Sequence, residues 1–308
     1  MKQNQVFAAR LSPIIMKIVK KKLPLKKKIM KKKKKSISIS DSSSWVKSRL
    51  LGRGAYGSVY LAKSKTDQTE RALKSAEFSR ATSLMEEAKI LISLNSSYVV
   101  RCYDAEIVRE ENDMQYNLVL EYCSGKTIAD LIEDNHGELL ESEVKQLARD
   151  IVLGLRYIHA RDVIHCDIKP DNLLLCPVDD GYVAKIGDFG LAMEKGSMEY
   201  GDGYGHKRGT TRYMSPEMMS HGMVDYKADV WAFGCSVLEM LSGESVWGEH
   251  GDLCSDDWAN LIGHSDLMPR QPVWLSTQAK DFLSKCLERD VHKRWSSYNL
   301  SNHPFVAL

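Results

Sequence analysis

The chain has no long apolar run and only a few scattered cysteines. No segment approaches the roughly 18 consecutive apolar residues that a membrane-spanning helix needs. The apolar residues near the N-terminus are interrupted by Pro13, Pro24 and lysines, so they do not form the core of a signal peptide. The seven cysteines are odd in number and include no Cys-x-x-Cys pair, which argues against a disulfide framework or a structural metal site. We expect reduced thiols in a soluble protein of the cytoplasm, the nucleus or both.

Acidic residues are missing from the first 40 positions, where 13 Lys and one Arg give a charge of +14. In the rest of the chain the other 29 of the 43 basic side chains face 41 acidic ones, a charge of −12. Like-charge repulsion and low complexity predict a disordered leader over residues 1–41. The leader suits a solvated tail, an extension absent from the working protein, a nuclear-import signal, or attraction to anionic lipid or nucleic acid. We expect neither a membrane nor a nucleic acid as its partner.

From Trp45 onward the sequence changes to short alternating runs and later to helical spacing. Residues 143–159 carry apolar side chains on one face, and residues 229–241 are apolar nearly all round, which predicts an amphipathic helix and a fully buried one. Shorter elements are predicted at 84–94 (a helix) and at 99–105 and 117–122 (strands). This order predicts an α+β protein, with a small β-rich lobe (45–123) before a larger helical lobe (124–306).

A glycine-rich string, Gly52-Arg53-Gly54-Ala55-Tyr56-Gly57, matches the pattern G-x-G-x-x-G. The pattern alone is weak, because dinucleotide-binding folds use it to open a helix. Here an alternating strand follows, which favours a strand–loop–strand turn whose backbone N–H groups approach phosphates. The simpler alternative is a glycine-rich hairpin with no ligand. The residues expected to contact ATP in this region are Leu51, Gly52, Arg53, Gly54, Ala55, Tyr56, Gly57, Ser58 and Val59.

A lysine, Lys74, follows on a predicted strand, 17 residues after Gly57 and two after Ala72, which is also expected to contact ATP. Such a lysine can pair with the α- and β-phosphates of ATP if a carboxylate fixes its ammonium group. Glu87 is the expected anchor because it shares a helical face with apolar residues three and four positions later. The alternatives are Glu86 as the anchor, or a lysine that lies on the surface with no such role.

Two short loops carry the groups that phosphoryl transfer requires: His165-Cys166-Asp167-Ile168-Lys169-Pro170-Asp171-Asn172 and Asp188-Phe189-Gly190. Asp167 is the predicted general base for a substrate hydroxyl, and Lys169 would offset charge on the γ-phosphate. Asn172 and Asp188 are the predicted Mg²⁺ ligands. The alternative is a polar turn that binds no metal.

These motifs resemble the protein kinases, and the Asp-x-Lys-Pro-x-Asn arrangement resembles the kinases that modify Ser or Thr. The resemblance extends from Trp45 to Phe305 and implies a bilobal kinase fold over 45–306, with ATP and Mg²⁺ as cofactors. Further strings resemble plant mitogen-activated protein (MAP) kinase kinase kinases, which implies a MAP kinase kinase as protein substrate; we expect a monomer. Those strings are Lys74-Ser75-Ala76-Glu77-Phe78-Ser79-Arg80, Ser97-Tyr98-Val99-Val100, His165-Cys166-Asp167, Trp274-Leu275-Ser276, Lys285-Cys286-Leu287 and Arg294-Trp295.

The same resemblance assigns supporting residues outside the two catalytic loops. Leu120 would be the gatekeeper of the hinge, where backbone groups of Glu121 and Cys123 would bond adenine. Glu217 would pair with Arg294 to hold the substrate-docking segment. Asp229, from the buried helix, would tie the backbone of the catalytic loop.

Cys166 departs from the kinase pattern, since many kinases have an arginine there that grips a phosphate on the activation loop. We therefore expect activation without that ion pair, although Thr210, Thr211 or Ser197 would still be open to modification. Three rival functions remain: a serine/threonine kinase outside the MAP kinase cascade, a pseudokinase scaffold, and a protein that binds nucleic acid through its leader. The scaffold is disfavoured because the lysine, the base and both predicted metal ligands are present.

Overall fold

A computed structural model describes residues 38–40, 42–54, 57–110, 113–137, 139–196 and 208–307. The chain divides into two units, Met1–Ser36 and Ile37–Leu308, and the description below concerns the second. Most of the predicted disordered leader therefore lies outside the described residues. The same holds for Ala55 and Tyr56 of the glycine-rich string, and for Ser197.

The described residues between Ser38 and Leu120 form one six-stranded sheet with one long helix. The strand order is β1-β5-β6-β4-β3-β2, antiparallel throughout except for the β1/β5 pair. Helix α1 (Thr82–Ser93) follows β4 and buries Leu84, Ala88 and Leu91. The strands are β1 (Ser38–Ser40), β2 (Trp45–Gly54), β3 (Gly57–Ser64), β4 (Glu70–Glu77), β5 (Cys102–Glu110) and β6 (Asp113–Leu120).

Two predictions about this sheet differ from the structure. The strands predicted at 99–105 and 117–122 lie at 102–110 and 113–120. The first prediction began too early because Val99 and Val100 are buried without belonging to the six-stranded sheet. Residues 38–40, assigned by sequence to the disordered leader, form β1 and pair with Glu106 to Val108 of β5. The serine–isoleucine alternation there suits an extended strand, and the open edge of β5 supplies its backbone partners.

Beyond the sheet, most of the elements formed by the described residues are helices. Helix α3 (Glu141–His159) buries its predicted apolar face, and α5 (Tyr226–Ser242) is buried nearly all round, as the sequence pattern predicts. The structure therefore confirms the α+β, bilobal arrangement. None of the helices that the structure describes is long and apolar enough to cross a membrane. The other helices are α2 (Ile128–Asp134), α4 (Pro216–His221), α6 (Ser255–Trp258) with a π-helical turn at Ala259–His264, α7 (Thr277–Cys286) and α8 (Ser297–Leu300).

Short strands position the two predicted catalytic loops. The first loop follows β7 (Val163–Ile164), and the second follows β9 (Gly181–Ile186), which pairs with β8 (Leu173–Val178). A further strand, β10 (Met193–Glu194), pairs with β7 beyond the second loop. The His165 ring packs edge-on against the Phe189 ring at 4.7 Å between centroids, so the two loops lie against each other.

The expectation that all cysteines are reduced thiols is wrong for one pair. Cys123 and Cys176 are joined by a disulfide, with Cα atoms 4.4 Å apart. The pair forms because the segment after β6 runs alongside β8, where the Gly125 N–H donates to the Leu175 carbonyl at 2.9 Å. Sequence spacing gives no sign of this contact, since the two cysteines are 53 positions apart and belong to different elements.

Candidate active site

Lys74 lies on β4 and donates to a carboxylate of helix α1. Its ammonium nitrogen is 2.7 Å from Oε2 of Glu87, whose side chain is fully buried. Glu86, the alternative anchor, is half exposed and pairs with Lys89 on the helix surface. One residue along a helix turns a side chain by about 100°. Only Glu87 can therefore face the sheet, and the structure brings Lys74 together with Glu87 and not with Glu86.

Lys74 also reaches Asp188 in the second loop, with 2.7 Å from Nζ to Oδ1. Burial opposes the ammonium charge, but Glu87 and Asp188 outweigh it and raise the pKa of Lys74. Burial alone would raise the pKa of the Asp188 carboxyl, but the nearby Lys74 ammonium outweighs burial and lowers it. Both groups are therefore charged at neutral pH. The Asp188 side chain remains 49% exposed, so its carboxylate faces the space between the lobes.

The backbone of the first loop is held by Asp229 from α5. The N–H groups of His165 and Cys166 donate to its two carboxylate oxygens, each at 2.8 Å. Cys166 has a φ of +67°, a left-handed conformation that a residue with a Cβ adopts only when its surroundings enforce it. The buried Asp229 supplies that constraint, so the resemblance places this residue correctly beside the catalytic-loop backbone.

Asp167 sits at the centre of a hydrogen-bonded cluster. Nδ2 of Asn172 donates to its Oδ2 at 3.0 Å. The backbone N–H and the hydroxyl of Thr210 both donate to Oδ1 at 2.8 Å. Lys169 donates to the same hydroxyl at 2.8 Å, and its ammonium lies 3.8 Å from Asp167 Oδ2. The structure therefore brings the predicted base, lysine and asparagine together.

Thr210 belongs to this cluster, although its position in the sequence indicated only a site of modification. A phosphate on its hydroxyl would face the Asp167 carboxylate, so Thr210 is better described as a positioning residue. The sequence signal is the preceding Gly209, which has a φ of +107°. A Cβ added there would lie 2.3 Å from the carbonyl oxygen of Cys166, so only glycine allows this close approach.

The segment after Thr210 is fixed by a buried ion pair. Arg294, whose side chain is inaccessible to solvent, donates to both carboxylate oxygens of Glu217 at 2.7 and 2.9 Å. This two-pronged geometry is the strong form of a carboxylate–guanidinium contact. The pair that the resemblance implies is therefore present.

The glycine-rich string lies in the β2/β3 hairpin beside Lys74, which is opposite Val59. Gly57 is required by packing, since an added Cβ would lie 2.6 Å from the carbonyl oxygen of Ser75. Among the described residues no such contact explains Gly52 or Gly54, where an added Cβ would meet none of their atoms closer than 4.0 Å. The space beside these two glycines is what the close approach of a phosphate requires. The other predicted nucleotide contacts lie on these strands and on β4: Leu51, Arg53, Ser58, Val59 and Ala72.

Glu121 and Cys123 connect the two lobes. The Glu121 carboxylate pairs with Lys185 of β9 at 2.6 Å and accepts from the Arg101 N–H at 3.1 Å. Its backbone N–H donates to the Arg101 carbonyl at 2.8 Å. Within the described ranges, no backbone partner engages the Glu121 carbonyl or the Cys123 N–H. These two groups fit the acceptor and donor that an adenine edge needs.

Comparison with known proteins places this geometry in a family. Residues 45–306 match the protein kinase domain. Mitogen-activated protein kinase kinase kinase 17 of Arabidopsis thaliana is 37% identical over 266 residues, which cover 85% of this chain and 69% of the relative. Numbers 18 and 20 of the same series are each 38% identical, over 77% and 78% of their lengths. The chain is a serine/threonine protein kinase and belongs to the mitogen-activated protein kinase kinase kinases of plants.

Proposed function

We propose that this kinase transfers the γ-phosphoryl group of ATP to Ser or Thr hydroxyls of MAP kinase kinases. The observation that carries the proposal is the cluster in which the Thr210 hydroxyl donates to the Asp167 carboxylate and accepts from Lys169, each at 2.8 Å. The substrate class rests on three relatives whose names designate the same tier of kinases.

In this mechanism Asp167 orients the substrate hydroxyl and accepts its proton. The hydroxyl oxygen attacks the γ-phosphorus while the bond to the β–γ bridging oxygen breaks, and ADP leaves. Lys169 carries a positive charge 3.8 Å from the base, where it offsets charge that develops on the transferred group. Thr210 keeps Asp167 and Lys169 in register, because its hydroxyl bonds to both.

Protein kinases use ATP with Mg²⁺, and the residues present fit that metal. Asn172 uses its amide nitrogen for Asp167, so its oxygen is the atom left to bind a cation. Asp188 is ionised and half exposed, and Mg²⁺ prefers such oxygen ligands. We assign Asn172 and Asp188 as the residues that would hold Mg²⁺, which neutralises phosphate charge when bound. Lys74, fixed by Glu87, would hold the α- and β-phosphates.

The rest of the nucleotide would occupy the space under the β2/β3 hairpin. The open positions at Gly52 and Gly54 suit phosphates, and the Glu121 carbonyl and Cys123 N–H suit adenine. We propose residues 45–306 as the kinase domain. A monomer is the proposed working form, and light scattering of the purified chain would test this.

Activation is proposed to proceed without a phosphate held at position 166. Cys166 is buried and packs with Ile164 and Met193 in an apolar cluster. Replacing arginine by cysteine removes the positive charge that would hold a phosphate there. The kinase should therefore keep its activity after treatment with a phosphatase, and a large loss of activity would contradict this.

The decisive experiment is a transfer assay against a panel of MAP kinase kinases that have been inactivated by mutation. The expected result is phosphate on Ser or Thr of at least one member, located by mass spectrometry. Transfer only to unrelated proteins would favour a kinase outside the cascade. No transfer to any protein, despite nucleotide binding, would favour a scaffold.

The lysine-rich leader is proposed to act as a nuclear-import signal or as a solvated tail, in a protein of the cytoplasm or nucleus. Fluorescent fusions with and without residues 1–36 would test this. A nuclear signal that is lost on deletion favours import. Identical distributions favour the tail, and fluorescence at membranes would contradict both.

A further inference from the structure

The Cys123–Cys176 disulfide lies at the connection between the lobes. Strand β6 ends at Leu120 and helix α2 begins at Ile128, so residues 121–127 link the sheet of the first lobe to the helices of the second. Cys123 is the residue whose backbone N–H is proposed to bond adenine. Cys176 lies on β8, in the helical lobe, and both side chains are buried.

The disulfide extends a set of backbone contacts that already fix the second half of this link. The Gly125 N–H donates to the Leu175 carbonyl, and the Leu175 N–H donates to the Lys126 carbonyl, each at 2.9 Å. Thr127 forms a bridge to Leu174. Without the disulfide these contacts begin at residue 125. With the disulfide, residue 123 is also attached to β8. The backbone N–H that is proposed to bond adenine is then fixed relative to the helical lobe.

We propose that Cys123 and Cys176 are a reversible dithiol–disulfide couple whose oxidation state sets the affinity of this kinase for adenine nucleotides. The inference rests on the proposed function, because it assigns the Cys123 backbone to adenine. No other pair of cysteines in the described chain is joined.

The oxidation is balanced with a peroxide as the electron acceptor. One thiolate attacks a peroxide oxygen, which breaks the O–O bond and gives a sulfenic acid and a hydroxide. The second thiol attacks the sulfenic sulfur and expels the oxygen as water. In total two thiols lose two electrons and two protons, and hydrogen peroxide becomes two waters. A small-molecule dithiol reverses the step by thiol–disulfide exchange.

The expected effect is tighter binding in the oxidised state. The disulfide holds residue 123 beside β8 in the structure where Lys74, Glu87 and Asp188 are already assembled. Fixing a segment in its binding conformation removes ordering cost from association, so we expect nucleotide to bind roughly fivefold more tightly. Release of ADP should slow by a similar factor, since affinity changes fall mainly on dissociation.

The test compares the full chain after treatment with hydrogen peroxide and after treatment with dithiothreitol. Mass spectrometry of non-reduced peptides reports whether residues 123 and 176 are linked, and calorimetry with Mg-ADP reports affinity. Cys176→Ser keeps the backbone of residue 123 and cannot form the bond. Cys254→Ser is the matched control, because Cys254 is exposed and not disulfide-bonded, and serine can keep its cap on α6.

The inference predicts a linked peptide only in the oxidised wild type and the Cys254→Ser control, with a fivefold gain in affinity that Cys176→Ser lacks. Equal affinities in the two states, or two intact thiols after peroxide, would overturn it. Zinc retained by the reduced wild type and lost in Cys176→Ser would also overturn it, since Glu121 and the two sulfurs would then be metal ligands. Absence of nucleotide binding in both states would refute the proposed function and the coupling with it, even where the linked peptide forms.

Discussion

Neighbouring glutamates on helix α1 offer a sharp test of the Lys74 anchor. Glu87→Gln removes the charge that lies 2.7 Å from the Lys74 ammonium, in a position closed to solvent. A hydrogen bond to a charged group contributes about 1.5–3 kcal/mol, which corresponds to roughly 10- to 150-fold in rate. Glu86→Gln removes the same charge one residue away, from a half-exposed pair with Lys89 that contributes about 0–1 kcal/mol.

Steady-state kinetics with ATP and a MAP kinase kinase would measure both variants beside the wild type. We expect kcat/KM to fall about 10- to 150-fold for Glu87→Gln and less than about twofold for Glu86→Gln. Circular dichroism and the unfolding midpoint in urea would verify that each variant is folded. Equal losses for the two variants, or no loss for Glu87→Gln in a folded protein, would refute the assignment of the anchor.

Three further predictions follow from the buried contacts. Glu217→Ala should lower the free energy of unfolding in urea by about 3–5 kcal/mol, because Arg294 is left buried and uncompensated; a loss below 1 kcal/mol would contradict this. Thr210→Val should lower kcat about tenfold or more while Thr210→Ser retains it, because only the hydroxyl bonds both the base and the lysine; equal rates would contradict the positioning role. Burial, aided by a nearby aspartate, raises the pKa of Cys166, so iodoacetamide at pH 8 should label Cys254 and leave Cys166 unmodified until the chain unfolds.

Local patterns were enough to predict much of the fold and the site. The apolar spacing of 143–159 predicted α3, which buries one face, and the apolar residues of 229–241 predicted α5, which is buried nearly all round. Asp167, Lys169 and Asn172 lie within six consecutive residues, so their proximity follows from the sequence, while Asp229 and Thr210 hold the loop and its side chains in place. The resemblance to protein kinases then assigned roles to Asp229 and Arg294, which are distant in sequence from the catalytic loop.

What the sequence did not reveal depends on contacts between distant segments. The hydroxyl of Thr210 reaches Asp167 across 43 positions, and Cys123 meets Cys176 across 53. No regular spacing in the sequence predicts either contact, because each one forms only when distant loops are brought together by the folded chain. Strand β1 was missed for a similar reason: a short serine–isoleucine stretch forms a strand only when an open sheet edge is available.

The central claim is that Asp167 acts as the base in phosphoryl transfer from ATP. The most direct measurement is the single-turnover rate of transfer to a MAP kinase kinase, at saturating Mg-ATP, for wild type and Asp167→Asn. Loss of a general base lowers rate by about 10²- to 10⁴-fold, and nucleotide affinity should be unchanged because the base contacts the acceptor. Equal single-turnover rates in the two proteins would contradict the account.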